Sequence, residues 1–391
     1  MRDWSATAWM TGFLAVLISY SGPLLIFIQA AQAGGMSAEM LSSWIWGISI
    51  GAGVSGIILS LWLKIPVITA WSAPGTALLL HVFPALSMAE VVGAYLGAAL
   101  ITVIIGLGGY FEKIVQYIPR SMAAAMMAGI LFQFGIQAFA ASTELPMVVL
   151  LMLAAYVLCR RFIPTFTVIL VAVVGFVSVY WLGLTQLQQV SVTLATPIFT
   201  WPEFNLAAFF SLTVPLVVVS LSGQYLPGLF VLRLEGYQVP SRAIVSGTGL
   251  VSLFVAFFGG ISIVLASITA AICTSKDSHP DPKKRYVAGV ANGVFYLLGG
   301  VFAGTIVLLF SAIPPALVAA LAGLALIGAI VSNIQSLAAE PAHVEPAVIT
   351  FLITASNMTI AGMGSAFWGI VLGMGAYWVL GHKRSLSTSK S

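Results

Sequence analysis

Charged residues are scarce in this sequence of 391 residues, where they make up 7% of the chain against 60% apolar residues. A soluble domain carries about 25% charged residues, so a water-soluble fold of this length would expose a large apolar surface. The composition therefore excludes a soluble protein and favours a membrane protein. Cys159 and Cys273 are the only cysteines, and both fall at predicted cytoplasmic helix ends, so no disulfide is expected.

Two further absences limit the classes of function that the protein can have. No Lys, Arg, Asp, Glu or His falls at the centre of an apolar run, which argues against an intramembrane enzyme, because such an enzyme needs a nucleophile–base pair or a metal cluster. The sequence also lacks a phosphate-binding glycine-rich loop, which excludes drive by ATP. Its net charge of +4 is dispersed over many loops and does not indicate nucleic-acid binding. No cofactor or metal is expected.

The positive charges that are present follow a regular pattern. All fifteen Lys and Arg residues fall only at every second break between apolar runs. The densest group, Lys283 to Arg285, is interpreted as part of a solvated loop. The breaks in between carry acids alone, namely Glu39, Glu90, Glu144 and Glu203. Because loops rich in Lys and Arg stay in the cytoplasm, the pattern predicts about fourteen crossings with both ends of the chain inside.

The apolar runs predict fourteen membrane-spanning segments in two halves of seven. The approximate ranges of segments 1 to 7 are 8–33, 41–63, 67–84, 88–111, 119–141, 144–160 and 163–183. Those of segments 8 to 14 are 206–232, 241–259, 261–274, 285–311, 313–331, 345–359 and 361–380. Crossing the hydrocarbon takes about 20 residues. Segments 3 and 10, which occupy corresponding positions in the two halves, are among those that fall short of that length.

An internal repeat supports this division. Segment 5 contains IPRSMAAAMMAGI (118–130) and segment 12 contains IPPALVAALAGL (313–324). Segments 1 and 8 each carry a proline near the middle, Pro23 and Pro227. Because seven is odd, the second half enters the membrane from the opposite side, which predicts an inverted repeat of the kind that secondary transporters use. Chance similarity between alanine-rich helices is the alternative.

Segments 3 and 10 are predicted to be half strand and half helix. In segment 3 an extended, β-branched stretch precedes Ser72, a candidate helix cap, and Pro74, which suits a first helical turn. Segment 10 starts in the same way, with Ser267 as its candidate cap. Two helix N-termini would then face each other near the bilayer midplane. Free N–H groups and helix dipoles favour anions, so the sequence predicts a carboxylate site without a basic residue.

Several polar and aromatic residues near these segments are further candidates. Gln224 is interpreted as a substrate contact or a hydrogen bond between helices, since an unpartnered buried amide costs about 2–7 kcal/mol. Tyr20 and Ser21, just before Pro23, and Tyr225 are either functional or structural. Trp71 could stack on an aromatic ring or pack in a groove facing lipid. Helix packing is the preferred interpretation for Gln133, Gln137, Gly369 and Gly373.

Four blocks of sequence resemble the benzoate–proton symporter family of bacterial inner membranes. These are TAWSAPG (69–75), ASITAAICTS (266–275), HPDPKKR (279–285) and TASNMTIAGMGSAFWG (354–369). The resemblance covers essentially the whole chain and implies the fold of uracil–proton symporters and of sulfate and bicarbonate transporters. That fold is an all-α polytopic membrane protein of 7+7 inverted repeats. It implies a core domain from 1–118 and 206–312, and a gate domain from 119–205 and 313–391.

The resemblance also implies site residues. The uracil-type site falls on Leu221, Gln224 and Tyr225 in segment 8, and on Ile261 and Ser262 in segment 10. The acidic residues of the nucleobase branch are absent from these positions, which favours an apolar ring bearing a carboxylate. No protonatable group lies within reach, and Glu345, beside His343, is far from the site. The proton could instead travel on the substrate, as neutral benzoic acid.

These observations predict a secondary transporter that imports a benzoate-like aromatic carboxylate with protons by alternating access. An exchanger or exporter of another small organic anion is the alternative. An anion channel is disfavoured, because the sparse polar residues offer no continuous polar pore. The expected partners are the substrate, protons and the lipid bilayer, with a homodimer as a further possibility.

Overall fold

The computed structural model describes residues 5–83, 85–117, 119–266, 268–276, 278–356, 358–360 and 363–387. The first half of the chain comprises α1 (Ala6–Ser21), α2 (Pro23–Ala33), α3 (Ala38–Leu63), β1 (Thr69–Trp71), α4 (Ala73–Val82), α5 (Met88–Gly108), α6 (Phe111–Tyr117), α7 (Arg120–Ala140), α8 (Pro146–Phe162) and α9 (Thr167–Trp181).

The second half begins with one long helical segment. It comprises α10 (Leu206–Ala208), a π-helix (Phe209–Thr213), α11 (Val214–Ser220), a second π-helix (Leu221–Tyr225) and α12 (Leu226–Leu234). After it come α13 (Ser241–Ala256), β2 (Ile263–Leu265), α14 (Ile268–Thr274), α15 (Tyr286–Val301), α16 (Ala303–Ser311), α17 (Pro315–Ala338), α18 (Val344–Ala355), β3 (Thr359–Ile360), β4 (Met363–Gly364) and α19 (Ser365–Ser387).

Each of the fourteen predicted segments overlaps at least one of these helices. Within the described residues, six helices are long and apolar enough to cross a membrane alone, and four shorter ones of 10–17 residues are also apolar. Pro282–Val301 and Ala303–Ser311, bent by 66°, form a seventh candidate span. Segment 1 is interrupted at Gly22 (φ −124°, ψ −79°), and Pro23 then starts α2. The chain is therefore a multi-pass, mainly helical membrane protein.

The prediction that segments 3 and 10 are each half strand and half helix is confirmed. β1 and β2 pair antiparallel, with Thr69 opposite Leu265 and Trp71 opposite Ile263. Both strands are buried along their whole length. Pairing satisfies backbone groups that could find no partner in lipid, where an unbonded N–H or C=O is costly.

A serine on a neighbouring helix braces each strand segment. Ser60 on α3 accepts a hydrogen bond from the backbone N–H of Val67 (3.1 Å) and donates to its carbonyl oxygen (3.2 Å). Ser252 on α13 accepts from the backbone N–H of Ile263 (2.8 Å). Since α3 is segment 2 and α13 is segment 9, the two braces occupy corresponding places in the two halves.

The helix packing also corresponds between the halves. α3 packs extensively against α15, and α5 packs against α13, which pairs segment 2 with 11 and segment 4 with 9. α8 packs against α9 as α18 packs against α19, and α7 packs against α17. This reciprocity is the arrangement that an inverted repeat requires.

Glycines permit the close packing predicted for α19. A methyl group on Gly373 would overlap the hydroxyl group of Thr350 on α18, and one on Gly369 would overlap that of Thr354. A methyl group on Gly375, two residues along the same helix, would meet nothing within 4 Å. The α18–α19 contact therefore depends on particular glycines.

We expect Gly373→Ala to destabilise the protein by about 1–3 kcal/mol, because overpacking at this contact would force α18 and α19 apart. Gly375→Ala is the matched control and should leave stability unchanged or slightly higher. Thermal unfolding in detergent measures both. Equal melting temperatures for the two variants would contradict this account of the contact.

Candidate functional site

The start of α4 is positioned by the strand pair. Ser72 is fully buried, and its hydroxyl group accepts a hydrogen bond from the backbone N–H of Gly75 at 3.1 Å. Its own N–H donates to the carbonyl oxygen of Ser262 at 2.9 Å, which extends the β1–β2 ladder. The predicted helix cap at Ser72 is thus confirmed, and Pro74 lies in the first turn.

The start of α14 lies at the other end of the strand pair. β2 ends at Leu265, opposite Thr69, and α14 begins at Ile268. Ser267, the predicted cap, lies outside the described residues. Because the strands are antiparallel, α4 and α14 start beyond opposite ends of the strand pair. That the two helix starts face one point stays a prediction.

An aromatic cluster lies against β1. The ring of Trp71 stacks on that of Tyr20 on α1, with centroids 6.0 Å apart and an interplanar angle of 30°. Tyr296 on α15 meets both rings edge-on, at 5.8 Å from Tyr20 and 6.0 Å from Trp71. The hydroxyl groups of Tyr20 and Ser49 share a hydrogen bond of 2.6 Å. This cluster brings together two predicted site residues and one, Tyr296, that the sequence analysis missed.

One polar atom of the cluster, the indole Nε1 of Trp71, has no hydrogen-bond partner among the described residues. Trp71 is 2% exposed. An unsatisfied buried polar group costs about 1–3 kcal/mol, so this N–H is available to an acceptor at little competing cost.

Gln224 lies in the second π-helix. Its side chain is half-buried and forms no hydrogen bond with a described residue. The π-helix contacts both β2 and α7, and a methyl group on neighbouring Gly223 would lie 3.7 Å from the Cε of Met127 on α7. Single-turn π-helices recur at functional sites. The side-chain amide of Gln224 therefore lies between the strand pair and α7 without a hydrogen bond to another described residue.

Other predicted site residues face protein groups. The hydroxyl group of Tyr225 is buried and bonds to Thr248 (2.6 Å) and to the carbonyl oxygen of Ile263 (3.1 Å). Ile261 and Ser262, both buried, lead into β2. Ser21 ends α1, and its side chain lies outside the described part of the chain.

Ionisable side chains do not gather at the strands. Among the described residues, no group of three or more His, Cys, Asp or Glu could hold a metal ion. His343 bonds to Glu340 (2.7 Å) and contacts the ring of Tyr377 on α19, and Glu345 lies in the first turn of α18. The strand pair and its aromatic cluster are thus a mainly apolar, uncharged environment.

Discontinuous segments that meet within a multi-pass helical protein are a recurring feature of secondary membrane transporters. Solved structures share this fold. The transmembrane domain of the cyanobacterial bicarbonate transporter BicA matches with a TM-score of 0.59 at 17% identity, covering 96% of this chain and 97% of that one. SLC26A9 matches with a TM-score of 0.60 at 15% identity, covering 95% of this chain and 65% of that one.

Residues 2–379 match the family model described as benzoate membrane transport protein, and the chain belongs to that family. It is 53% identical over 379 residues to the benzoate membrane transport protein of Acinetobacter baylyi, covering 97% of this chain and 96% of that protein. It is 37% identical over 371 residues to the inner membrane protein YdcO of Escherichia coli, covering 95% of each. The benzoate transport family and the mainly helical fold shared with bicarbonate and SLC26 transporters are confirmed, whereas the inverted repeat stays a prediction. The family is one of membrane transport rather than of enzymes.

The hydrogen bonds of Tyr225 predict that this residue stabilises the fold and does not bind the substrate. Tyr225→Phe removes the hydroxyl group that joins α13 to β2, so we expect a loss of stability of about 1–3 kcal/mol with substrate affinity retained. Tyr180→Phe is the control, since Tyr180 is 58% exposed. Thermal unfolding and equilibrium binding of labelled benzoate measure the two effects. A variant of normal stability with weakened binding would instead make Tyr225 a substrate contact.

Proposed function

We propose that this protein is a secondary transporter that imports a benzoate-like aromatic carboxylate by alternating access, in a bacterial inner membrane and with both termini in the cytoplasm. The observation that carries the proposal is the uncharged, aromatic environment at the paired strands. There, the N-terminus of α4 and the unpaired N–H of Trp71 offer donors to a carboxylate. The names of the Acinetobacter and Escherichia relatives support the substrate class and the membrane.

The chemistry of the cluster suits an aromatic acid. A helix N-terminus stabilises a negative charge by about 0.3–1 kcal/mol at an exposed surface, and by more where it is partly buried. Tyr20, Trp71 and Tyr296 present ring faces and edges, which favour stacked or edge-on contacts with a ligand ring. We assign substrate contacts to these three residues and to Ser72 and Gln224. Tyr225, Ile261 and Ser262 support the strand pair.

The proposed motion is a displacement of a core domain against a gate domain. α3, α5, α13 and α15 pack closely with one another and carry the strand pair, whereas α7 packs chiefly against α17 and α18. Contacts between the two sets, such as those of α2 with α17 and of α4 with α7, are fewer. This distribution supports the boundaries that the resemblance implies. Dimerisation stays a prediction.

Proton coupling is proposed to occur through the substrate. None of the described side chains at the strand pair or in the aromatic cluster is a carboxylate or an imidazole, so none titrates in the physiological range. Passage of neutral benzoic acid would carry one proton per substrate. Exchange of one organic anion for another is the second candidate, and the same lack of a titratable group favours it.

Uptake of labelled benzoate into proteoliposomes, interior alkaline, tests the coupling. We expect accumulation that an uncoupler abolishes, because dissipating the pH gradient removes the driving force. Accumulation that persists with the uncoupler and requires a preloaded internal anion would support exchange. Liposomes without protein must serve as the control, since neutral benzoic acid also crosses lipid unaided.

Replacing Gln224 tests the site itself. We expect Gln224→Ala to weaken benzoate binding by about tenfold, the effect of losing about 1.4 kcal/mol, without changing the melting temperature. Gln137→Ala is the matched control, because Gln137 is exposed on α7. Unaltered affinity of the Gln224 variant would remove this residue from the site.

A further inference from the structure

The connection between α9 and α10 lies across one end of the helices, the outer end in the predicted topology. Residues 186–205, here called the outer segment, contain one helical turn, Leu187–Gln189, and are otherwise irregular. Loops longer than about 12–15 residues without secondary structure are uncommon in compact folds. The hydrogen-bond partners of this segment therefore show which part of the protein holds it.

The first part of the outer segment is bonded to α15 and α16. The N–H of Thr193 donates to the hydroxyl oxygen of Thr305 (2.8 Å), and the N–H of Thr305 donates to the carbonyl oxygen of Thr193 (3.1 Å). Ala195 donates to the carbonyl oxygen of Val301 (2.9 Å). Gly304 permits this approach, because a methyl group there would lie only 3.0 Å from the carbonyl oxygen of Thr193.

The middle part is bonded to α3 and to the end of α13. The N–H of Ile198 donates to the hydroxyl oxygen of Ser43 on α3 (2.8 Å). The N–H of Thr200 donates to the carbonyl oxygen of Phe257 (2.7 Å). The ring of Phe199 stacks on that of Phe257, with centroids 5.2 Å apart and planes within 9°.

The last part is bonded to the start of α5. The N–H of Glu203 donates to the carbonyl oxygen of Ala89 (2.9 Å), and the side-chain amide of Asn205 donates to Glu90. A methyl group on Gly93 would overlap the backbone of Glu203. These partners lie on α5, α3, α13, α15 and α16, all within the proposed core domain.

The hydrogen-bond partners of the chain change from the gate domain to the core domain between Leu184 and Gln186. The N–H of Leu184 still bonds to the carbonyl oxygen of Val179 on α9 (3.0 Å), whereas that of Gln186 bonds to Ala312, just beyond α16 (2.9 Å). The connection between α5 and α7 has a similar arrangement, because Glu112 on α6 bonds to Ser241 (2.7 Å) and Arg233 (3.3 Å), both in core elements. Both connections are thus attached to the core.

We propose that the outer segment belongs to the core domain and moves with it, so that the hinge on this side is Leu184 to Gln186 and not the boundary at residue 205. The inference rests on the proposed motion of core against gate. About five backbone hydrogen bonds and a ring stack would have to break in every transport cycle if the segment stayed with the gate. Each such bond contributes about 0.5–1.5 kcal/mol, which makes that alternative costly.

Cross-linking tests the assignment in a protein carrying Cys159→Ser and Cys273→Ala. Thr193→Cys with Thr305→Cys joins the segment to the core by a disulfide. Phe210→Cys with Phe367→Cys, whose native rings lie 5.3 Å apart, joins core to gate through a short bifunctional thiol reagent. We expect the first link to leave benzoate uptake within about twofold and the second to reduce it by about tenfold or more.

Hydrogen exchange of residues 190–203 supplies a readout that does not depend on transport. We expect slow exchange that the Phe210–Phe367 link does not change, because the segment stays bonded to the core throughout. Loss of uptake on linking Thr193 to Thr305, failure of that pair to form a disulfide, or protection that rises when core and gate are linked would each overturn the assignment. If uptake survives the core–gate link as well, the proposed domain motion fails while the location of the segment stands.

Discussion

The antiparallel pairing of β1 with β2 is the interaction on which the rest of the structure depends. Two non-helical stretches deep in a membrane protein are tolerated only if their backbone groups are bonded within the protein. The ladder supplies part of that bonding, and Ser60 and Ser252 supply more from neighbouring helices. Because these bonds fix both strands, they also fix where α4 and α14 begin. The proposed site depends on a buried helix start without a described basic side chain beside it, which an unbroken helix could not provide.

The surroundings of the pair limit what the proposed site can bind. Stacked and edge-on rings at Tyr20, Trp71 and Tyr296 present an apolar, polarisable surface beside the unpaired N–H of Trp71. A cationic substrate would find no compensating charge there, and a strongly hydrated anion would lose its water shell without enough polar replacement. An aromatic carboxylate meets both conditions, because its ring is apolar and its charge is confined to one end. Because the described side chains at the proposed site include no carboxylate or imidazole, proton coupling is proposed to depend on the substrate and not on a protein side chain.

Much of the architecture could be predicted from the sequence because membrane constraints act locally. Short length, β-branched residues and a serine before Pro74 predict a strand followed by a helix, and Ser72 caps that helix as expected. The strand register depends on contacts between residues nearly 200 positions apart, which no local pattern records. Tyr296 could not be predicted, because the sequence around a tyrosine in an apolar helix does not indicate whether its side chain faces lipid or a site. The π-helix that contains Gln224 likewise depends on tertiary packing and has no reliable sequence signal.

The most direct test of the central claim is to locate a bound substrate. A structure of the protein with a bromobenzoate, in which the bromine marks the ligand ring, gives that position without reliance on transport. The account predicts a carboxylate within hydrogen-bonding distance of the start of α4 or of the Nε1 atom of Trp71, and a ring against Tyr20 and Tyr296. A ligand bound away from the strand pair, or a carboxylate held by a lysine or arginine, would contradict it.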